Sequence, residues 1–119
     1  MKEYKDIPIF QYGMNPNNVF ISREVVIKAL DGFVGKPIFE FNENDLYNKE
    51  QNIVGVIKKV TRLDNYNSYV YGDILIYNKE EPINQWKNYE ILIENSHNED
   101  DKKTIVVDNF NLNSIGYRF

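Results

Sequence analysis

One stretch of this chain, "SREVVIKALDG" at 22–32, carries helical periodicity, and nearly every other apolar residue belongs to a short alternating or β-branched run. That imbalance constrains the fold more than any other feature. Val25, Val26, Ala29 and Leu30 form an apolar stripe at helical spacing. Ser22 stands where a hydroxyl accepts an orphan N–H. Glu24 lies in the first turn, where the helix dipole favours an acid. Gly32 after Asp31 is a natural stop.

The strand signals are "IPIFQY" (7–12), "KPIFEF" (36–41), "NIVGVIKKV" (52–60), "YVYGDILIY" (69–77), "YEILIE" (89–94), "KTIVV" (103–107) and "SIGYRF" (114–119). Pro8 suits an edge strand, and Gly55 suggests a bulge. In 69–77, Val70, Gly72, Ile74 and Ile76 share one face, and Tyr69, Tyr71, Leu75 and Tyr77 the other. Tyr89, Ile91 and Ile93 oppose Glu90 and Glu94 in the same way. Turn chemistry separates the runs at 13–18, 42–52, 63–68 and 94–101. Strands 52–60 and 69–77 read as one hairpin and 89–94 and 103–107 as another. The expected fold is therefore a single domain, 1–119, mainly β (α+β). It is a small curved sheet or β-barrel with one short helix, about 22–31, covering an opening. At 119 residues the chain buries a compact core without staples.

Composition narrows the chemistry. With no cysteine, disulfides, thiol catalysis and Cys-zinc sites are excluded. His97 is the single histidine, so no metal site and no cofactor is expected. The net charge is −4 and the pI about 5.0, with Lys58-Lys59 and Lys102-Lys103 as isolated basic pairs. That disfavours nucleic acid, whose affinity rests on phosphate neutralisation. No run approaches the roughly 18 apolar residues of a membrane helix, and "MKEYKDIPIF" lacks the pattern of a secretory signal. A cytoplasmic protein without a membrane partner is expected. Seventeen asparagines and 9 tyrosines fit an AT-rich coding genome.

Few residues stand out as chemical. His97, in "ENSHNEDD", reads as an exposed histidine of a polar hairpin loop; adjacent Ser96 points away from it on an extended chain. The acids Glu43, Asp45 and Glu50 resemble a calcium loop only superficially, since the central glycine is missing. They read as solvated loop charge, as do Glu94, Glu99, Asp100 and Asp101. Tyr66, Tyr69, Tyr71, Tyr77, Tyr89 and Trp86 are flanked by Asp64, Asp73, Glu80 and Glu81. They read as strand packing, with a protein-contact face as the second reading, rather than as a base-stacking platform. Ser114 has no G-x-S-x-G elbow around it. By spacing alone it is the polar start of a terminal strand.

The order of three segments is similar to the prohead (head maturation) proteases of tailed phages, relatives of herpesvirus assemblin. "NNVFISREVVIKALDGFVGKPIFEF" (17–41) resembles the family's short helix, "GKP" and strand. "NIVGVIKKV" and "YVYGDILIY" resemble its following strand pair. "LNSIGYRF" (112–119) resembles its "L-S-I-G-F" strand. The resemblance implies that Ser114 occupies the place of the family's nucleophile. The family's histidine follows the "GKP" strand, where this chain reads Phe41, Asn42 and Glu43. None of these is an imidazole, and triads that lose their base lose orders of magnitude in rate.

The resemblance thus implies a non-catalytic domain of phage or prophage origin. It would act through contacts with a protein partner (a capsid or scaffold protein, or itself) in the host cytoplasm or the phage particle. One alternative is a serine endopeptidase in which Ser114 uses a relocated base, Glu43 or His97. Another is an acidic phage-encoded inhibitor of a host nuclease.

Overall fold

The computed structural model describes residues 1–40, 53–77, 88–99 and 103–117. Eight strands among them form one sheet, curled into a half-barrel. In chain order these are β1 (Lys2–Gln11), β2 (Gly13–Met14), β3 (Val19–Ile21), β4 (Pro37–Glu40), β5 (Ile53–Asp64), β6 (Tyr69–Ile76), β7 (Asn88–Asn98) and β8 (Ile105–Tyr117). Helix α1 (Arg23–Ala29) and a 3-10 turn (Leu30–Phe33) connect β3 to β4. The mainly-β expectation with one short helix holds. Ser22 caps α1 as expected, its Oγ accepting from the Val25 N–H at 3.2 Å.

Strand order is β1-β6-β5-β4-β8-β3-β2, with β7 on the other edge of β8. Both expected hairpins form, β5 with β6 and β7 with β8, each antiparallel. The long strand β8 organises the rest. β3 and β4 both run parallel to it, β3 against Ile105 and Val106 and β4 against Ile115 to Tyr117. The α1 segment spans the gap between them, and Lys28 Nζ donates to the Asp108 carbonyl at 3.1 Å.

Curling brings the edge strands β1 and β7 together. Phe10 of β1 is fully buried and lies 4.4 Å from the Tyr89 ring centroid, 5.5 Å from that of Phe110 and 5.5 Å from that of Phe33. Two phenols stitch the seam: Tyr89 donates to the Gln11 carbonyl at 3.1 Å, and Tyr117 to the Pro8 carbonyl at 2.5 Å. Burial raises the pKa of Tyr117 far above that of a free phenol, and raises that of Tyr89 as well. Both therefore stay donors. Replacing Tyr117 with Phe is expected to cost about 1–2 kcal/mol, the hydrogen bond plus an orphaned carbonyl. Equilibrium denaturation measures this, and an unchanged midpoint would show that the seam contributes nothing.

Bulges set which residues face inward. Relative to β6, β5 carries extra residues near Lys58 and Thr61. Inward positions there fall at Ile57, Val60 and Leu63, with Lys58-Lys59 and Thr61-Arg62 as outward doublets. The bulge expected at Gly55 lies one residue away, at Val54, where β4 skips from Gly55 to Ile53. β8 behaves likewise, with extra residues at Asp108 and Asn113 relative to β7. Its buried apolar residues are Val107, Phe110, Leu112, Ile115 and Tyr117.

Three expectations are corrected. The runs expected at 103–107 and 114–119 are joined in one strand, Ile105–Tyr117, because the asparagines between them point outward from a bulged but continuous strand. Ser114 is consequently late in a long strand and not the first residue of a terminal one. β1 begins at Lys2 and not at residue 7, since its early charges find partners on β5: Lys58 Nζ meets Glu3 at 2.9 Å, and Arg62 holds Asp6. His97 lies within β7 and not in a loop, because backbone pairing with β8 runs on to Asn98. The acids Asp45, Glu50, Glu80, Glu81, Asp100 and Asp101, and Trp86, lie outside the described residues.

Candidate functional site

Ser114 sits opposite Glu90 across the β7–β8 ladder. Its neighbours Ile115 and Tyr117 turn into the core, each 1% exposed, which places Ser114 and Gly116 on the opposite face of the strand. Ser114 is itself only 8% exposed. The bulge at Asn113 fixes this orientation: without it, the phase set by Leu112 would turn Ser114 inward.

The candidate bases are placed differently. Glu43 lies outside the described residues. His97 pairs with Val106, eight residues from Ser114 along β8, roughly 25 Å at the rise of an extended strand. Its Nδ1 lies 2.8 Å from Asp108 Oδ2. This is the ring orientation that a carboxylate imposes in a triad. Both side chains are about half exposed, and Lys28 Nζ closes the cluster on Asn109 Oδ1 at 3.3 Å. No hydroxyl joins His97 among the described hydrogen bonds of this cluster. Ser96, its sequence neighbour, takes the other face, as expected. The cluster is a solvent-exposed polar contact of small energetic weight.

The register reveals one group that the sequence reading missed. Glu90 brings a carboxylate to the strand position facing Ser114, and such opposed residues have Cβ atoms about 4.5–5.5 Å apart. Its alternation with Tyr89 and Ile91 marked it as outward, but nothing in the sequence pairs residue 90 with residue 114. A carboxylate at that register position has the chemistry to accept from a hydroxyl. It does not replace an imidazole, which takes the serine proton and then delivers it to the leaving group.

Family models, curated proteins and solved structures were all compared with the chain, and none matches.

Away from Ser114, the described residues form two surfaces of note. On the outer face of β1, β5 and β6, the Arg62 guanidinium lies 3.8 Å from the Tyr71 ring centroid and makes a two-pronged bond to Asp6, with distances of 2.9–3.2 Å. Thr61 Oγ1 donates to the same carboxylate at 2.9 Å. The Arg62 hydrogen bond holds the Asp6 carboxyl below the usual carboxylate range. Asp6 has φ of 54°, and its N–H donates to buried Asp73 Oδ1 at 3.0 Å, so this cluster also fixes the β1 bulge. Tyr69 stands edge-on to Tyr71 with centroids 6.1 Å apart. Of the tyrosines singled out in the sequence, Tyr69 and Tyr71 meet on this face with Arg62 as their cation, whereas Tyr89 packs against Phe10 at the seam.

The second surface is a groove of about 640 Å³ between the 3-10 turn and β5. Its walls are Leu30, Asp31 and Val34 on one side and Lys58 to Leu63 on the other. It exists because β4 and β5 part company. Ile57 still exchanges backbone bonds with Gly35 and Lys36, at 2.8 and 3.0 Å. Gly35, at φ of 84°, lies where the chain leaves the lane beside β5, a backbone geometry that favours glycine.

Proposed function

We propose that the chain is a non-catalytic domain of phage or prophage origin with a prohead-protease-like fold, acting through protein contacts in capsid assembly or a repurposed role in the host cytoplasm. The observation that carries this reading is the setting of Ser114. The residue in the nucleophile's place is a largely buried strand residue, and the chain's imidazole, on β7 opposite Val106, is bound to Asp108, six residues from Ser114 along β8. The ordered resemblance of 17–41, 52–77 and 112–119 supplies the phage connection. The small curled sheet with one short helix agrees in architecture with what that resemblance implies.

The test is chemical. A fluorophosphonate probe is expected to leave Ser114 unlabelled, and co-expressed capsid or scaffold proteins are expected to stay uncleaved. Ser114→Ala is expected to change stability by less than about 1 kcal/mol. Labelling or cleavage that Ser114→Ala abolishes would instead establish the serine endopeptidase.

A further inference from the structure

We propose that the groove between the 3-10 turn and β5 receives an extended, acidic segment of a partner protein as an added strand. Such binding presupposes the protein-contact role proposed above and gives that role a site. β5 is paired on both edges as far as Ile57. Beyond it, from Lys58 to Leu63, the described residues pair it only with β6. Backbone N–H and C=O groups that do not bond β6 therefore face the groove, which is the requirement for strand addition. The lane that the described residues leave open continues that of β4, so the guest strand would lie antiparallel to β5 and end near Gly35. Six residues fill it, about 20 Å of extended chain.

The walls define the guest's side chains. Val60 and Leu63 are half-buried and belong to the rim of the core. Val34 is 51% exposed and, with Leu30, makes the facing wall apolar. One face of the guest is therefore apolar. The other meets the outward doublets of β5. Lys58, Lys59 and Arg62 line the groove against a single acid, Asp31. Glu3 and Asp6 hold Lys58 and Arg62, and Lys59 has no ion pair among the described residues. Acidic side chains alternating with apolar ones complement this surface, and Lys59 is their principal contact.

The experiment uses the whole chain and a fluorescein-labelled decapeptide of alternating valine and glutamate, with a valine–lysine decapeptide as control. Fluorescence anisotropy is expected to show saturable binding of the first and none of the second. Hydrogen exchange is expected to slow at amides of 58–63 on binding. Lys59→Glu should weaken binding about five- to tenfold, and Val34→Asp should weaken it by at least as much. Both are surface changes, and circular dichroism confirms their folding. No binding up to millimolar peptide, equal binding of the lysine peptide, or protection elsewhere than 58–63 would overturn the proposal. The Ser114 probe assay separates this outcome from the wider reading. A labelled Ser114 ends that reading whatever the groove binds, and an empty groove beside an unlabelled Ser114 ends only this one.

Discussion

Replacing Gly55 with alanine is expected to destabilise the domain by more than about 3 kcal/mol, at or beyond the upper end of ordinary overpacking. A Cβ built at residue 55 would lie 2.2 Å from the carbonyl oxygen of Leu75 and 2.8 Å from Ile76 Cδ1. A flexible side chain can yield to such a contact. The Leu75 carbonyl cannot, because it belongs to β6 and is held by the β5–β6 ladder, where Val56 pairs with Leu75 and Gly55 with Ile76. Relief requires the two central strands to separate, in a sheet where both are covered by core residues. Domains of this size are stable by about 5–15 kcal/mol in total, so a loss of this order depletes the folded population at physiological temperature. Gly32→Ala is the internal control. It has open space, with Asn111 Oδ1 at 4.0 Å as its nearest neighbour, and should shift stability by no more than about 0.5 kcal/mol. Urea titration of both variants checks the pair. A Gly55→Ala protein as stable as Gly32→Ala would mean that β5 and β6 do not approach as closely as described.

How much of this was legible beforehand depends on whether a strand keeps a strict two-residue period. "YVYGDILIY" does. Val70, Ile74 and Ile76 are fully buried and Tyr69 and Tyr71 are not, as the alternation predicts. The capped helix at Ser22 was equally readable, because its signals are local. β5 and β8 defeat the same reasoning. Their bulges set inward residues three apart, at 57, 60 and 63 and at 107 and 110, so polar doublets appear where alternation expects one residue. In β8 those polar residues include Asn109, Asn111 and Asn113, a residue type whose usual meaning is a turn. Alternation and turn propensity therefore divide the strand at the place where it is continuous. The parallel pairing of β3 and β4 to opposite ends of β8 leaves no local trace at all. The site suffered most from this. Whether His97 or Glu90 faces Ser114 is a question of register across a hairpin with three irregularities, and composition and spacing carry no register information.

Phe10→Ala is expected to cost about 3–5 kcal/mol, the range for truncating a fully buried aromatic. Its position also predicts where the loss is felt. Phe10 is 0% exposed, and its ring touches the three aromatics Phe33, Tyr89 and Phe110, which stand on the 3-10 turn, β7 and β8. β1 reaches those elements through space and not through the ladder, since β1 and β7 stand at opposite ends of the β1-β6-β5-β4-β8-β7 path. The cavity left by the ring would open at the join between the edges. The phenol bonds from Tyr89 and Tyr117 to β1 carbonyls span the same join and are too few to hold it alone. Stability should therefore fall by roughly 12–25 °C in Tm. Amide exchange should accelerate first in β1 and in β7 near Tyr89, ahead of the β5–β6 hairpin, whose backbone bonds do not depend on the seam. Phe10→Leu, which keeps most of the volume, should lose less than half as much. Uniform acceleration across the sheet would show that the half-barrel opens as one cooperative unit. A cost below about 1.5 kcal/mol would show that the edges do not meet around Phe10 in solution, and the curl of the sheet would then need another cause.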